Sequence, residues 1–338
     1  MARKQPRCFV IAEAGVNHNG DLRAARRLVD AARRAGADAV KFQTFKAEKL
    51  ATASAALAPY QKKRLGGGAQ LDMIRRLELS DGDHQRLFEH CAKAGILFLS
   101  TPFDEESADM LDRLGVDRFK LPSGELTNKA LLRHVAGKGK PLILSTGMST
   151  LAEVRRAVGW IFSRRRVPLT LLHCVTEYPA PADEVNLRAM DTLREAFGLP
   201  VGYSDHTLGV EIAVAAAARG AAVIEKHLTL DRRLPGPDQA ASLEPEDFRA
   251  MVAAIRLVES ALGDGVKRMA PCERRNRAAA RRSLVAARDL PRGHRLEAKD
   301  LLAKRPGTGI PPAEAARLLG RRLRRALRRD GLLRWDLV

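Results

Sequence analysis

The chain has 338 residues, of which 45% are hydrophobic, and this length suits one barrel of about 250 residues with a small second domain. No apolar run approaches the roughly 20 residues that a membrane helix needs, and the N-terminal MARKQPRCFVIAEAG lacks the cleavage site of a signal peptide. Four scattered cysteines predict free thiols in a reducing cytoplasm rather than a disulfide framework, so we expect a cytoplasmic protein with no membrane partner.

The net charge of +19 is the one unusual bulk property, and it raises the question of nucleic-acid binding. Arginines such as Arg26, Arg75 and Arg155 are spread over many predicted helices, which is typical of solvated helix faces. We therefore expect no nucleic-acid partner. A positive field would still help to recruit an anionic substrate.

Eight short apolar runs follow one another along the chain, and each ends in polar residues. They are FVIAEAGVNHNG (9–20), AVKFQTF (39–45), ILFLSTPFD (96–104), RFKLPSGE (118–125), PLILSTG (141–147), LTLLHCVTEY (169–178), PVGYSDH (200–206) and AVIEKHL (222–228). Helical patterning separates most of them, which predicts parallel strands joined by crossover helices. Eight such units fit an α/β fold, the closed (β/α)8 TIM barrel.

A barrel of this kind brings the carboxyl ends of all its strands to one face, where active sites lie. Polar residues that are far apart in the sequence would therefore converge on one mouth. They are Glu13, Lys41, Thr101, Ser123, Glu125, Ser145, Thr176, Tyr178, Ser204, His206 and His227.

The pattern divides the chain into three parts: a barrel over 1–265, a partly helical linker over 266–282 and a small domain over 283–338. The last barrel helix is predicted at 245–262, and AEAARLLG predicts one short helix in the small domain. About 55 residues is small for independent folding, so this domain should pack on its own barrel or on a partner subunit.

His206 and His227 are the candidate metal ligands. Each follows an apolar run, so they would sit at the ends of adjacent strands, where two imidazoles suit a divalent transition metal. The alternative is that each is an ordinary loop histidine. A neighbouring acid, Asp205 or Glu225, could orient a ring.

Lys41 and Lys120 lie within otherwise apolar strands, and an inward lysine needs an anionic partner such as a phosphate or a carboxylate. Ser123, Ser145 and Ser204 would add hydroxyls to such an anion cradle. The alternative is that a lysine faces outward and extends its amine to water.

Glu13 and Glu125 end the first and fourth strands. They are either general acid–base groups and sugar-hydroxyl partners or simply members of salt bridges with nearby lysines. Asp238 follows a Pro-Gly-Pro that would fix a loop over the mouth, so it is either a positioned contact or a plain turn residue.

Taken in order, the motifs resemble those of the sialic acid synthase family, whose members make nonulosonic acids such as N-acetylneuraminate and N,N'-diacetyllegionaminate. The resemblance covers nearly the whole chain, and 283–338 looks like the family's antifreeze-like domain, a β-clip or SAF domain. The motifs are EAGVNHNGD, VKFQTFKAEKL, STPFDEES, KLPSGELTN, ILSTGMS, LLHCVTEYPAPADEVNL, GYSDHTLG, IEKHLTLD, LPGPDQAASLEP and KRPGTGIPP.

The resemblance implies a carbon–carbon bond-forming synthase that condenses phosphoenolpyruvate with an open-chain N-acetylmannosamine-type sugar and water. It implies that His206 and His227 bind manganese, with magnesium or cobalt as alternatives. The phosphoenolpyruvate positions that it implies are Lys41, Lys120, Ser123, Ser145, Ser204 and, where some members have Asn, Thr176.

The same resemblance assigns Glu13 and Tyr178 to the catalytic centre as sugar contacts, together with the substrate-binding Asp238. Glu125 matches an acid near the reacting carbons. Arg305, in KRPG, matches an arginine that the antifreeze-like domain lends to the neighbouring subunit, which implies a domain-swapped homodimer.

Two other functions stay open at this point. One is another phosphoenolpyruvate-condensing barrel enzyme, which would lack the KRPGTG domain. The other is a basic nucleic-acid-binding or ice-binding protein that uses 266–338, which would not need a complete set of catalytic residues on a barrel. The sequence does not fix the sugar, because small pocket changes exchange a hydroxyl and an acetamido group.

Overall fold

The computed structural model describes residues 7–59, 61–62 and 67–338. Eight parallel strands form one sheet, in the order β3-β2-β1-β8-β7-β6-β5-β4. Because β3 and β4 also lie side by side, the sheet is a nearly closed TIM-like barrel, as the strand–helix alternation predicts. The strands are β1 (Phe9–Gly15), β2 (Ala39–Thr44), β3 (Leu97–Pro102), β4 (Phe119–Leu121), β5 (Leu142–Ser145), β6 (Leu169–Cys174), β7 (Val201–Asp205) and β8 (Val223–His227).

Helices connect the barrel strands, and several of them begin at a residue whose side chain caps the first turn. Ser80 and Thr150 each form a capping box that satisfies backbone N–H groups in the first turn. In the described residues, no helix is long and apolar enough to cross a membrane. The helices are α1 (Leu22–Arg34), α2 (Ala47–Leu50), α3 (Gln70–Leu77), α4 (Asp81–Ala94), α5 (Glu105–Leu114), α6 (Lys129–Gly137), α7 (Leu151–Arg164), α8 (Ala189–Phe197), α9 (Glu211–Ala218) and α10 (Pro245–Leu262).

The interior of the barrel is closed by one layer of apolar side chains. This layer packs together and is almost fully buried, which makes the barrel a solid core below its mouth. It consists of Ile11, Ala39, Leu99, Ile143, Leu172 and Val223. A second and larger apolar core lies between the strands and the surrounding helices.

Residues from Gly265 to Val338 form a second compact unit, which includes helix α11 (Glu273–Ala280). Strands β9 (Ser283–Ala286) and β10 (Leu301–Lys304) pair antiparallel over a small leucine-rich core. The short helix predicted at AEAARLLG is a 3₁₀ helix over Pro312–Arg317. This segment has six residues, and 3₁₀ geometry is common in such short pieces.

Candidate active site

The polar floor of the barrel mouth follows from strand alternation. Side chains two positions apart on a strand share a face, so a residue two positions after an inner apolar one also points inward, one layer higher. Glu13 stands in this relation to Ile11, and Lys41 to Ala39. Thr101, Ser145 and Glu225 follow Leu99, Ile143 and Val223 in the same way.

These side chains line a cavity of about 320 Å³ at the carboxyl ends of the strands. It brings together eleven of the thirteen residues to which the sequence assigns a catalytic, substrate-binding or metal-binding role. They are Glu13, Lys41, Lys120, Ser123, Ser145, Thr176, Tyr178, Ser204, His206, His227 and Asp238.

Two lysines and two carboxylates form a buried network at the floor. Lys41 Nζ lies 2.8 Å from Glu13 Oε2 and 3.7 Å from Glu225 Oε2. Lys120 Nζ lies 3.1 Å from Glu225 Oε1, which also accepts a hydrogen bond from Ser204 Oγ at 3.1 Å. All four charged side chains are at most 5% exposed, so their charges are satisfied by one another rather than by water.

Burial and the nearby lysines shift the pKa values of Glu13 and Glu225 in opposite directions. Burial raises the pKa of Glu13 despite the opposing effect of Lys41. For Glu225, burial opposes ionisation, but Lys120 and Lys41 outweigh it and lower the pKa. The lysines therefore favour the anionic form of Glu225, and burial makes Glu13 the more readily protonated of the two carboxyl groups.

The hydroxyl groups of the three serines in the site differ in their hydrogen-bond partners. Ser123 Oγ accepts a hydrogen bond from Gly147 N at 2.9 Å, while Ser204 Oγ donates to Glu225. Ser145 Oγ is buried without a hydrogen-bond partner among the described residues, which leaves it free for a bound group. Gly147 must lack a side chain, because a Cβ would lie 2.3 Å from Thr176 Oγ1 and 2.8 Å from Ser123 Oγ.

The two predicted metal ligands lie side by side above this floor. The ring centroids of His206 and His227 are 5.4 Å apart, and Tyr178 packs against His206 with its ring centroid 4.1 Å away. His206 Nδ1 donates to the Val175 carbonyl at 2.7 Å, so Nε2 carries the lone pair whenever the ring is neutral. His227 Nδ1 makes no hydrogen bond within the described residues and lies 4.0 Å from Asp238 Oδ2.

These two imidazoles fit a divalent cation as a pair of nitrogen ligands. A backbone carbonyl on the far nitrogen of His206 is a common way to orient a metal-binding ring, and burial lowers the pKa of His227 and keeps it neutral. Within the described ranges, no group of three or more His, Cys, Asp or Glu side chains has a geometry that could hold a metal.

The loop that carries Asp238 is fixed by hydrogen bonds to the loop after β1. Asn17 Nδ2 donates to Leu228 O and to Ser242 Oγ, both at 2.9 Å, and Ser242 Oγ donates to Asp238 O at 2.7 Å. Gln239 Nε2 donates to Asn17 O at 3.0 Å. Burial raises the pKa of Asp238 to about 6, and the rigid loop aims this carboxyl group into the cavity.

Two predicted site residues are not among those that line the cavity. Glu125 follows Ser123 and Gly124 in a 3₁₀ turn, and its Oε2 accepts a hydrogen bond from Asn128 Nδ2 at 2.8 Å. Arg305 belongs to the second unit, where its Nε donates to the Ala280 carbonyl at 3.0 Å.

The structure also gives a central place to residues that sequence reasoning left outside the proposed site. Glu225 forms ion pairs with both lysines of the floor. The sequence predicted for it only the role of a group that could orient a histidine. Gln43 Nε2 donates to Glu13 Oε1 at 3.3 Å. Period-two counting from the apolar residues Val223 and Ala39 points to both, because the same inward face continues along each strand.

The other side of the cavity is built by the segment between β2 and α4. The described residues that line it from this segment have only apolar or amide side chains: Leu50, Gln61, Gln70, Met73, Ile74 and Leu77. Phe45 and Phe103, whose rings meet edge to face at 6.1 Å, continue the apolar surface. The cavity thus has a charged floor and an uncharged wall.

Comparison with known proteins identifies the family. The model of the NeuB family matches residues 28–267, and the model of the SAF domain matches residues 281–338. The chain belongs to the NeuB family. This NeuB-family chain is an enzyme of the sialic acid synthase type, which condenses phosphoenolpyruvate with a sugar, as its motifs predict.

Two similar bacterial enzymes match nearly the full length of the chain. An N,N'-diacetyllegionaminic acid synthase of Legionella pneumophila is 49% identical over 98% of this chain and 94% of the relative. One of Campylobacter jejuni is 47% identical over 96% of this chain and 98% of the relative. The crystal structure of an N-acetylneuraminic acid synthetase from Leptospira borgpetersenii, in complex with citrate, has a TM-score of 0.73 and 35% identity, covering 80% of this chain and 90% of that one.

Proposed function

We propose that this NeuB-family enzyme forms N,N'-diacetyllegionaminate from phosphoenolpyruvate, water and 2,4-diacetamido-2,4,6-trideoxymannose. C3 of phosphoenolpyruvate attacks the aldehyde carbon of the open-chain sugar and forms the new carbon–carbon bond. Water then adds at C2, and phosphate leaves with cleavage of the bond between C2 and oxygen. N-acetylneuraminate from N-acetylmannosamine is the alternative product.

The charged floor is the proposed site of phosphoenolpyruvate. Lys41 and Lys120 are buried cations that can meet a carboxylate and a phosphate, and the unpartnered Ser145 Oγ adds a hydrogen-bond donor. Ser123, Thr176 and Ser204 complete the proposed contacts. Proton uptake by Glu13 would leave the two lysines facing one carboxylate, Glu225, and so would favour an anionic substrate.

The uncharged wall supports the proposed sugar. The acetamido groups at C2 and C4 present methyl and amide surfaces, and the deoxy C6 presents a methyl group. These match the thioether of Met73, the aliphatic Leu50 and the amides of Gln43 and Gln70. N-acetylmannosamine would instead bring hydroxyls at C4 and C6 to a largely apolar surface, where unpaired hydroxyls are costly. The products named for the two bacterial relatives also support this choice.

Glu13, Tyr178 and Asp238 are the proposed contacts to the open-chain sugar, and Glu125 is the proposed acid near the reacting carbons. Asp238 is held rigidly, and Tyr178 packs beside both histidines. Glu125 directly follows Ser123 and Gly124 in the chain, and these two residues line the cavity.

Enzymes of this family are generally metal-dependent, and we propose Mn²⁺, with Mg²⁺ or Co²⁺ as alternatives. His206 and His227 would hold the ion. When bound, such a cation polarises an aldehyde oxygen and stabilises the negative charge that develops there.

The proposal extends to assembly and location. Arg305 of the second unit would complete the site of a neighbouring subunit in a domain-swapped homodimer. All four cysteines are free thiols, which supports a reducing cytoplasm. The proposed domains are a barrel over 1–265, a linker over 266–282, which the second compact unit includes, and a small domain over 283–338.

The test is phosphate release from phosphoenolpyruvate with each of the two sugars in the presence of Mn²⁺. We expect kcat/KM to be about 10–100-fold higher for the diacetamido sugar, the range over which an apolar pocket discriminates such small groups. In H₂¹⁸O, C–O cleavage should place the label in the sugar acid and none in phosphate.

The outcomes separate the two parts of the proposal. A preference for N-acetylmannosamine would overturn the choice of sugar and leave the synthase activity intact. Label in phosphate would overturn the proposed bond cleavage.

A further inference from the structure

A completely buried ion pair lies directly behind the two histidines. Asp205 and Lys226 are register partners on β7 and β8, and each side chain is 0% exposed. Lys226 Nζ lies 2.6 Å from Asp205 Oδ2. Each residue immediately precedes a proposed metal ligand, because His206 follows Asp205 and His227 follows Lys226.

Strand alternation turns this pair away from the cavity. Ser204 and Glu225 point into the barrel mouth, so their neighbours Asp205 and Lys226 face the opposite side of the sheet. Neither is among the residues that line the cavity, and the proposed mechanism uses neither of them.

The pair also holds the backbone on both sides of His206. Lys226 Nζ donates to the carbonyl of Thr207 at 2.7 Å. Asp205 Oδ1 accepts from Thr207 N at 2.9 Å and from Thr207 Oγ1 at 2.8 Å. The residues before and after His206 are therefore both hydrogen-bonded to the residue that precedes His227.

The free energy of burying two charges indicates that the Asp205–Lys226 pair contributes little to the stability of the fold. Taking both charges out of water costs several kcal/mol per ion, and well-packed apolar residues in place of a buried ion pair are often about as stable. Hydrogen bonds have a fixed length and direction, so they set the relative position of two strand ends. Apolar packing sets that position only loosely.

We propose that Asp205 and Lys226 are positioning residues that set the separation and orientation of His206 and His227 for a divalent cation. This inference rests on the proposed metal site. Groups that orient metal ligands from behind typically change metal affinity by about 10–100-fold when they are replaced.

The test variant carries Lys226→Met with Asp205→Asn. It removes both charges together, so that no buried charge is left alone, and Asn still offers an oxygen to Thr207 N. The matched control carries Lys138→Met with Asp109→Asn, which removes a hydrogen-bonded Lys–Asp pair between α6 and α5 on the outside of the barrel. For the full-length wild type and both variants, Mn²⁺ binding is measured by titration calorimetry and folding by thermal melting.

We expect the test variant to bind Mn²⁺ about 10–100-fold more weakly than wild type, while the control binds as wild type does. A purely structural pair would lower Tm without changing the Mn²⁺ dissociation constant of the folded protein. A dissociation constant within about twofold of wild type would overturn the inference and leave the metal site standing. Absence of Mn²⁺ binding to wild type would overturn both the inference and the proposed metal site. Phosphate release would still test the synthase activity separately.

Thr207→Val provides a second variant in case the double variant does not fold. It removes only the Oγ1 hydrogen bond to Asp205 and keeps the shape of the side chain. We expect Mn²⁺ binding to weaken by about threefold or more, the worth of one hydrogen bond, and unchanged binding would again overturn the inference.

Discussion

Lys120 Nζ lies 3.1 Å from Glu225 Oε1 at the floor of the barrel mouth, and the two side chains are only 4% and 5% exposed. Glu225 also lies within 3.7 Å of Lys41, so one carboxylate holds both buried lysines. This arrangement keeps two cations in place before an anionic substrate arrives. Because both lysines are buried, salt screens their charges much less than it screens charges at the surface.

Lys120→Met should raise KM for phosphoenolpyruvate by about 10–100-fold, the worth of one charge-assisted hydrogen bond. Met keeps the length of the side chain but removes the cation. Steady-state kinetics with each substrate varied in turn would check this. The matched control is Lys140→Met, which breaks an ion pair with Asp112 away from the cavity and should leave KM unchanged. A rise in KM for the sugar alone would instead place Lys120 at the sugar.

The barrel and most of its site could be predicted from the sequence because both follow from period-two strands. Glu13 and Lys41 each stand two positions after an inner apolar residue, so their direction is fixed once the strand is recognised. The ion pairs could be predicted only in part: the sequence allowed a salt bridge between Glu13 and a nearby lysine, but it did not pair Glu225 with Lys41 and Lys120. Glu225 on β8 contacts Lys120 on β4 across the interior of the barrel. Such a contact depends on closure of the barrel and on side-chain conformation.

The second unit shows where local patterns fail. Its core is built from single leucines that come from separate turns, such as Leu290, Leu318 and Leu333. No helical or strand period connects them. The resemblance to a known domain therefore predicts this unit better than hydrophobic periodicity does.

A chelator should abolish activity, and Mn²⁺ should restore it, because two imidazoles lie side by side in the cavity. His206→Ala and His227→Ala should each weaken Mn²⁺ binding and lower turnover without unfolding the barrel. Calorimetry, phosphate release and melting curves would measure the three effects. Full activity in excess chelator would contradict the metal assignment.

Glu125→Gln should lower kcat by about 10²–10⁴-fold with little change in KM for phosphoenolpyruvate, the usual loss when a general acid–base group is removed. Gln can still accept the hydrogen bond that Asn128 Nδ2 donates to Glu125 Oε2. A role confined to that hydrogen bond would therefore leave kcat close to wild type. Both kinetic constants and a melting curve of the variant would separate the two roles.

Mixing two inactive variants, His206→Ala and Arg305→Ala, should restore activity if Arg305 acts on a neighbouring subunit. Random exchange makes half of the dimers mixed, and each mixed dimer has one intact site of two, so recovery should reach about a quarter of wild type. Phosphate release after subunit exchange, with exchange verified by tagged subunits, would measure it. No recovery would mean that Arg305 acts within its own subunit or not at all.

Asp300 should make the second unit sensitive to acid. Its side chain is 0% exposed and accepts hydrogen bonds from His294 Nε2 at 2.8 Å, Glu297 N at 3.0 Å and Arg288 Nη2 at 2.8 Å. Burial opposes ionisation, but these donors outweigh it and lower the pKa to about 2.

Because the folded pKa of Asp300 is below the unfolded value of about 3.9, the carboxylate stabilises the fold above that value. The stabilisation is lost as the pH falls from about 4 towards 2. Asp300→Asn should cost about 1–3 kcal/mol at pH 7, since Asn brings an N–H group where Arg288 or His294 needs an acceptor. Hydrogen exchange of amides in the second unit of the full-length protein would measure the difference. The gap between wild type and variant should shrink as the pH falls below about 4, whereas a gap independent of pH would assign the loss to packing instead of charge.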